Sequence, residues 1–258
     1  MIETLRSIEL WQNLKRNGIL GRKSLGFVPT MGALHEGHLS LVRKSKAENE
    51  LTLVSIFVNP TQFDQVQDLD KYPRTIEQDQ VLLEKAGVDY LLLPDYKSMY
   101  PDEYLFKVEE KNLSRDLCGE FRPGHFQGML TVVLKLLQIA DADNAYFGEK
   151  DYQQYLLVKK MAQAFFFKTQ IVPCPTIRDH DGLALSSRNT LLDKAQRKLA
   201  TQFPLHLQSK STPAEITSAL VRLGFVVDYI TDKETDSGVR RFGAVRLGVV
   251  RLIDNVKI

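Results

Sequence analysis

Short apolar runs alternate with segments of helical periodicity along the first two-thirds of the chain. The periodic segments place apolar residues at three- and four-residue spacing, as amphipathic helices do, and the runs between them are typical of buried strands. Predicted strands cover residues 24–28, 51–58, 88–93, 144–147 and 169–173, and predicted helices cover residues 39–49, 75–86, 127–139 and 152–166. This alternation predicts an α/β fold, a Rossmann-like doubly wound parallel sheet covered by crossover helices. Residues 94–122 follow neither pattern, and we expect an irregular excursion there.

The pattern changes after residue 175. We expect polar helices at residues 190–203 and 213–223, the second after a Ser-Thr-Pro start signal. Two β-rich segments follow at residues 225–231 and 242–253, separated by a polar turn at 232–238. The sequence therefore predicts a second, smaller α+β C-terminal domain, and we divide the chain into domains at residues 1–177 and 178–258.

Composition narrows the class of protein. The 258 residues are 43% hydrophobic and 26% charged, which supplies enough apolar material for a folded core and excludes a disordered chain. The 34 basic and 32 acidic side chains leave a net charge of +2, so we expect no nucleic-acid partner. No apolar run approaches the roughly 18 to 20 residues that span a bilayer, and residues 1–5 lack a signal-peptide pattern. Together with only two cysteines, these features lead us to expect a cytoplasmic protein without a membrane partner.

The first candidate site lies just after the first predicted strand, at residues 29–38. Gly32 and Gly37 allow the backbone to come close to a ligand, and a helix start offers unpaired N–H groups to a phosphate. His35 and His38 are expected to point the same way and to donate hydrogen bonds to phosphate oxygens. The pair could instead cap the helix or bind a metal, although no third His or Cys lies at the usual local spacing.

The second candidate site follows the predicted strand at residues 51–58, which ends in the amide side chains of Asn59 and Gln62. Ligands of open α/β sheets bind beyond the carboxyl ends of the strands, so these amides are placed to bind a small polar molecule. For Asn59, turn formation in the Asn-Pro pair is the better interpretation.

The third candidate site again combines a strand, a glycine and a helix start, at residues 147–154. After Gly148, Lys150 could neutralise a phosphate and Asp151 could bind a ribose hydroxyl. Glu149 and Asp151 could equally be ordinary acids in the first turn of a helix. Gln154, one turn into that helix, could face the cleft.

The fourth candidate site falls at the predicted domain junction, at residues 178–189. The hydroxyls of Ser186 and Ser187 and the guanidinium of Arg188 are the groups expected of a mobile phosphate clamp. The alternative is a serine-rich linker in which Asn189 caps a helix that starts at residue 190.

Taken in order, these segments resemble the pantothenate synthetase (pantoate–β-alanine ligase) family of the HIGH-motif nucleotidyltransferase superfamily, which includes the class I aminoacyl-tRNA synthetases. The resemblance runs almost end to end. It is carried by PTMGALHEGH from Pro29, SIFVNPTQF from Ser55, YPRT from Tyr72, RPGHFQGMLTVVLKL from Arg122, FGEKDYQQ from Phe147, DGLALSSRN from Asp181 and GAVRLG from Gly243.

The resemblance implies ATP-dependent condensation of pantoate with β-alanine through a pantoyl adenylate, giving pantothenate, AMP and pyrophosphate. Residues 1–177 would bind ATP and pantoate, and residues 178–258 would form a lid. His38 would be the proton donor, His35 would bind the triphosphate with it, Lys150 and Arg188 would stabilise phosphate charge, and Gln62 and Gln154 would bind pantoate. The implied ATP site comprises Met31, Gly32, Ala33, Leu34, His35, Glu36, Gly37, His38, Gly148, Glu149, Lys150, Asp151, Ile177, Leu185, Ser186, Ser187 and Arg188. Homodimers are usual in the family.

Two segments depart from the family pattern. Leu185 stands where the clamp usually has Met, and its similar volume should preserve adenine packing. Some members hold magnesium with two consecutive acids and a downstream Gln, where this chain has Gln78, Asp79 and Leu82. We therefore assign no protein metal site and expect Mg²⁺ to bind through the ATP phosphates and water.

Three alternatives come from other functional classes. A related nucleotidyltransferase acting on a phosphate acceptor should place further cations where this chain has Gln62 and Gln154. A nucleic-acid-binding protein could use arginines that alternate with apolar residues, although a solvated sheet face also explains them. These are Arg240, Arg241, Arg246 and Arg251. A degenerate ATP sensor would have lost the acceptor glutamines, which this chain retains.

Overall fold

The computed structural model describes residues 2–258 and contains a six-stranded, fully parallel sheet. Its strands lie in the order β1-β4-β3-β2-β5-β6. Their bounds are β1 Glu3–Leu5, β2 Leu25–Thr30, β3 Leu51–Ile56, β4 Tyr90–Leu92, β5 Asn144–Gly148 and β6 Gln170–Cys174. The predicted doubly wound α/β fold is confirmed. Strand β1 lies outside every strand that the sequence predicted.

Eight helices accompany this sheet within the described residues. They are α1 Ile8–Arg16, α2 Glu36–Glu48, α3 Val66–Lys71, α4 Ile76–Lys85, α5 Tyr96–Met99, α6 Cys118–Phe121, α7 His125–Ala140 and α8 Tyr152–Ala164. The four predicted helices correspond to α2, α4, α7 and α8, and residues 94–122 form short turns and helices as expected for an irregular excursion. Helix α7 is the most apolar of the four and is buried along most of its length, because it packs against the sheet and the turn after β3.

The winding of the sheet identifies where a ligand should bind. From the central strand β2 the chain proceeds outward through β3 and β4, and it then returns to the other side of β2 for β5 and β6. Strands β2 and β5 are hydrogen-bonded neighbours, in the register Gly26↔Asn144 and Phe27↔Ala145. The direction of winding therefore reverses between them, and open α/β sheets bind ligands beyond the carboxyl ends of the strands at such a point.

The chain forms two compact units. The first comprises residues 2–149 and Gln153–Cys174, and the second comprises Lys150–Tyr152 and Pro175–Ile258. The second unit has an antiparallel sheet in the order β7-β8-β9, with strands β7 Val226–Thr235, β8 Gly238–Leu247 and β9 Val250–Lys257. Its helices are α9 Lys194–Ala200, α10 Gln202–Leu207 and α11 Pro213–Arg222. Apolar side chains from these helices and strands form one buried cluster, so the predicted smaller α+β C-terminal region is confirmed.

Several predicted boundaries in this region are wrong. The polar segment 232–238 is mostly strand and turns only at residues 236–237, while 242–253 is two strands separated by a turn at 248–249. The reason is cross-strand pairing: Asp232 lies opposite Arg241 and accepts hydrogen bonds from it at 2.7 and 2.9 Å. The predicted helix 190–203 is interrupted, because Asp193 and Gln196 form a capping box that starts α9 afresh.

The arginines of this sheet do not form the solvated face that we expected. Arg241 is only 5% exposed, and Arg246 and Arg251 both donate to the carboxylate of Asp228, at 3.1 and 2.7 Å. Arg240 packs over the ring of Tyr152 at 4.0 Å. Internal pairing therefore accounts for these side chains without a nucleic acid.

Candidate functional site

The loop between β2 and α2 is held in an uncommon backbone conformation. Gly32 and Ala33 both have positive φ angles, +80° and +51°. A Cβ on Gly32 would lie 3.0 Å from the carboxylate of Asp79 and from Ile56, so both the angle and the space require glycine there. The Asp79 carboxylate accepts hydrogen bonds from the amides of Ala33 and Leu34, at 2.9 and 2.8 Å.

His35 and His38 cap helix α2 reciprocally. His35 is the N-cap residue, and its Nδ1 accepts from the amide of Gly37 at 3.1 Å, while Nδ1 of His38 accepts from the amide of His35 at 3.3 Å. The ring centroids are 4.1 Å apart, which confirms that the two side chains lie together. Because each Nδ1 is an acceptor, the neutral form of either ring carries its proton on Nε2 and donates from that atom. Helix capping and a chemical role are therefore compatible.

The expected cradle of unpaired backbone N–H groups is not what this loop provides. The amide of Gly32 donates to Oγ1 of Thr30 at 3.2 Å, and those of Ala33, Leu34, His35 and Gly37 bond to Asp79 or to the two histidines. Those amides are engaged because the tight turn needs them for its own conformation. An anion bound at this loop would therefore be recognised more by the imidazole side chains than by the backbone amides.

Gln62 lies in a buried amide network after β3. It ends a 3-10 turn, Pro60–Gln62, in which both Asn59 and Gln62 are buried. Asn59 Nδ2 donates to Gln62 Oε1 at 3.0 Å, and Asn59 Oδ1 accepts from the hydroxyl of Tyr100 at 2.8 Å. Burial raises the pKa of Tyr100 to about 12, so the hydroxyl remains a donor at neutral pH. Asn59 also accepts from the amide of Thr61, which confirms its predicted turn-forming role.

Helix α7 holds this turn from the other side. A Cβ on Gly128 would lie 2.1 Å from the carbonyl oxygen of Thr61, so only glycine permits this close packing. His125 Nδ1 donates to the carbonyl oxygen of Gln62 at 2.8 Å, and Arg122 lies 3.0 Å from His125 Nε2. Sequence reasoning left the role of His125 open and assigned none to Tyr100 or Arg122, because these residues meet the Gln62 turn only in the folded chain.

The segment after β5 contains the third group of predicted residues. Gly148 ends β5, and Glu149–Asp151 form a 3-10 turn that leads into α8. The ammonium of Lys150 lies 3.7 Å from the carboxylate of Asp151. The backbone carbonyl oxygen of Lys150 accepts a hydrogen bond from Asn255 Nδ2 at 2.9 Å, within the second unit. Gln154 is half-buried on α8. The adjacent Gln153 is fully engaged with the backbone of residues 113–118 and has a structural role.

The fourth group lies on a folded loop of the second unit. The amide of Leu185 donates to the carbonyl of Ile177 at 3.0 Å, which brings these two predicted residues together. The intervening Arg178 forms a bidentate pair with Asp254 at 2.6 and 2.9 Å. Ser186 caps a 3-10 turn, Ser187–Leu191, by accepting from the amide of Arg188. The loop is therefore ordered, and Ser186 takes the capping role that we considered for Asn189.

Two acidic side chains hold the outer part of this loop through ion pairs with Arg197. Arg197 donates to Asp179 and Asp181, each at 2.6 Å. Hydrogen bonds from His180 and Arg197 lower the pKa of Asp179 to about 2. The predicted site residues are divided between the two units. The first contains Met31–His38, Gln62, Gly148, Glu149 and Gln154, and the second contains Lys150, Asp151, Ile177 and Leu185–Arg188.

Neither a metal cluster nor a membrane span is present in the described part of the chain. Within residues 2–258, no group of three or more His, Cys, Asp or Glu side chains is arranged to hold a metal ion. None of the helices formed by these residues is both long and apolar enough to cross a membrane.

A doubly wound parallel sheet with a strand-to-helix turn at its switch point is typical of α/β proteins that bind nucleotides. The chain matches the model of the family described as pantoate-beta-alanine ligase over residues 1–257. It is 47% identical to the pantothenate synthetase of Bdellovibrio bacteriovorus over 261 aligned residues, covering 100% of both chains. It is 46% identical to that of Coxiella burnetii, covering 99% of this chain and 97% of the relative.

Solved structures of related enzymes match the chain along nearly its whole length. The pantoate-beta-alanine ligase from Francisella tularensis, crystallised with beta-gamma ATP and beta-alanine, matches with a TM-score of 0.93 and 43% identity over 100% of this chain and 98% of that one. The pantothenate synthetase from Thermus thermophilus matches with a TM-score of 0.91 and 37% identity over 99% of each chain. The chain belongs to the pantoate–β-alanine ligase family, and the prediction of an ATP-dependent enzyme that forms pantothenate is confirmed. A nucleotidyltransferase acting on a phosphate acceptor is not favoured.

Proposed function

We propose that the enzyme joins pantoate to β-alanine in two steps at the carboxyl edge of the parallel sheet. A pantoate carboxylate oxygen attacks the α-phosphorus of ATP, the bond to the bridging oxygen breaks, and pyrophosphate leaves. The amine of β-alanine then attacks the acyl carbon, AMP leaves, and the nitrogen loses a proton. The observation that carries this proposal is the reciprocal capping of α2 by His35 and His38, because it presents two imidazole Nε2–H donors beside the switch point.

We assign the triphosphate to the side chains of His35 and His38, with His38 as the proton donor. Preorganised donors stabilise charge as it builds on the phosphates in the transition state. Lys150 and Arg188 would add fixed positive charge, while Met31–Gly37, Gly148, Glu149, Asp151, Ile177 and Leu185–Ser187 would complete the ATP site. Residues 1–177 would form the catalytic domain, and residues 178–258 would close over the substrates as a lid.

The acceptor carboxylate is assigned to Gln62 and Gln154. Because Oε1 of Gln62 already accepts from Asn59, its Nε2 hydrogens are the end of the amide left to donate to an anion. A neutral donor suits a carboxylate that must attack phosphorus, since a tightly paired cation would reduce its nucleophilicity. Excluding water protects the mixed anhydride until the amine arrives.

The proposal includes Mg²⁺ bound to ATP, a cytoplasmic location and a homodimer, all of which rest on the family resemblance. Asp79 is the remaining acid where some relatives place a magnesium pair, and both of its oxygens accept backbone amides. Because both oxygens of Asp79 already accept backbone amides, the residues here fit a Mg²⁺ ion that reaches the site bound to the ATP phosphates and water.

Product analysis tests the function directly. The protein is incubated with ATP, Mg²⁺ and pantoate, with and without β-alanine, while pyrophosphate, AMP and pantothenate are measured separately. We expect pyrophosphate with pantoate alone, and pantothenate with AMP only after β-alanine is added. Pyrophosphate without pantothenate in the complete mixture would overturn the choice of amine, and no turnover by folded protein would overturn the ligase.

A further inference from the structure

Asp79 is a buried acid whose carboxylate binds the backbone of the β2–α2 loop and the hydroxyl of Thr75. It is only 2% exposed and lies at the start of α4, some 45 residues away in sequence from the amides that it binds. Its two oxygens accept from Ala33 and Leu34, so one carboxylate holds two consecutive peptide groups. Carboxylates rarely become this buried unless hydrogen bonds compensate for lost hydration.

The residues that Asp79 holds would otherwise resist this conformation. Ala33 has a φ of +51°, in the left-handed region that residues with a Cβ rarely adopt because it is strained for them. Two charge-assisted hydrogen bonds, one to the peptide on each side of Ala33, offset that strain. The next residue along the chain is His35, whose amide is the donor that fixes His38.

Helix α4 is built to support the acid. Thr75, the N-cap residue, does not cap the helix with its side chain but directs its hydroxyl to both oxygens of Asp79, at 3.3 Å each. A negative charge in the first turns of a helix is further stabilised by the helix dipole. Asp79 thus accepts from three donors of its own molecule, two backbone amides and one hydroxyl shared between its oxygens, which is the pattern of an anchor rather than of a metal ligand.

We infer that Asp79 is a positioning residue for the adenylation step: together with Thr75 it fixes the turn at Gly32–Leu34 and so sets the tautomer and direction of His35 and His38. The inference rests on the proposed function for its catalytic consequence. The effect on the histidines themselves is independent of which substrates the enzyme uses.

The test compares Asp79→Asn with Asp89→Asn in the full chain. Asp89 is the matched control, because its carboxylate also accepts a backbone amide, that of Thr52 at 2.7 Å, but near the start of β3 at the opposite edge of the sheet. An asparagine at position 79 presents an NH₂ group to one of the two amides and cannot accept from both. We expect kcat/KM for ATP to fall about tenfold or more in Asp79→Asn, since small misplacements of reacting groups have large effects. The KM for β-alanine should change by less than about twofold, and Asp89→Asn should match the unmodified enzyme.

A spectroscopic measurement gives a readout that does not depend on activity. Long-range proton–nitrogen NMR spectra of the ¹⁵N-labelled protein report the tautomer of each of its five histidines. We expect Nε2–H signals for His35 and His38 in the unmodified protein and in Asp89→Asn, and averaged signals in Asp79→Asn. Unchanged histidine signals together with an unchanged kcat/KM for ATP in folded Asp79→Asn would overturn the inference. A change confined to the Mg²⁺ dependence would overturn it in favour of a metal ligand.

A milder variant covers the case in which Asp79→Asn does not fold. Thr75→Val keeps the Asp79 carboxylate but removes the hydroxyl that donates to it. We therefore expect a weaker effect of the same kind as in Asp79→Asn, with the KM for ATP rising about threefold. Wild-type values for both the KM and the histidine signals in folded Thr75→Val would then overturn the inference. Failure of the unmodified enzyme to make pantothenate would instead contradict the proposed function and leave the histidine measurement to judge Asp79.

Discussion

Asn59 Nδ2 donates to Gln62 Oε1 across 3.0 Å, so one buried side-chain amide fixes the rotation of the other. The oxygen of Gln62 is thereby engaged within the protein, and its NH₂ group is the end that we propose faces pantoate. An isolated glutamine interconverts these two ends freely. Fixing them makes the position selective for an acceptor such as a carboxylate or hydroxyl oxygen.

Gln62→Ala should weaken pantoate use. Loss of one hydrogen bond from a neutral donor to the carboxylate is expected to raise the KM for pantoate about three- to tenfold, with a smaller effect on the KM for ATP. Steady-state kinetics with each substrate varied in turn will measure this. Gln67→Ala, at an exposed position on α3, is the control and should leave all constants unchanged. A change in the ATP constant alone would contradict the acceptor assignment.

Tyr100→Phe tests the orientation of the amide pair without touching the site. Removing the hydroxyl that donates to Asn59 should lower the free energy of unfolding by about 1 kcal/mol and raise the KM for pantoate about threefold. Denaturant unfolding and kinetics measure the two effects. Tyr104→Phe, in the ring that packs edge-on against Tyr100, is the matched control. If Tyr100→Phe and Tyr104→Phe gave the same free energy of unfolding and the same KM for pantoate, an orienting role of the Tyr100 hydroxyl would be excluded.

His38→Ala should slow adenylation while the fold survives. The loss of one preorganised donor is expected to cost about 2 to 4 kcal/mol of transition-state stabilisation, as for removal of an oxyanion donor. Pantoate-dependent exchange of labelled pyrophosphate into ATP isolates this half-reaction. His206→Ala, on α10 of the second unit, serves as the control. Turnover near the normal rate in folded His38→Ala would remove His38 from its proposed role.

The ion pairs of Asp179, on the loop of the second unit, predict that the free energy of unfolding depends on pH. Bonds from His180 and Arg197 lower the pKa of Asp179 from 3.8 to about 2, so the folded state binds this proton less readily than the unfolded state. The contribution of the ionised Asp179 to the free energy of unfolding is therefore fully present above about pH 4, and it is lost as the pH falls through 2. Unfolding of the normal protein and of Asp179→Asn should differ at pH 6 and converge near pH 2. A constant difference over that interval would contradict this linkage.

Sequence alone predicted the central strands β2, β3 and β5 well because they are buried along most of their length and are mostly apolar. Residues 51–58, for example, contain all of β3, Leu51–Ile56. The C-terminal hairpins were harder to predict, since Asp232 and Arg241 are polar residues within strands that are stabilised by each other. A polar residue whose partner lies several positions away looks like a turn when read in isolation.

The first contacts of the site were predictable, but the residues that support them were not. His35 and His38 are neighbours in sequence at a helix start, which is a local pattern. Asp79 and Tyr100 meet the predicted residues only because α4 and the turn after α5 return to the same edge of the sheet. Their distance in sequence leaves no periodic signal, and only the folded chain identifies them.

The assignment of Lys150–Tyr152 to the second unit makes that unit discontinuous along the chain. A fragment beginning at Pro175 would lack the carbonyl of Lys150, and the side chain of Asn255, only 3% exposed, would lose its acceptor. It would also lack Tyr152, against which Phe242 and Arg240 pack. Dissecting the protein by truncation would therefore damage the smaller piece, whereas circular permutants that keep all three residues would preserve it.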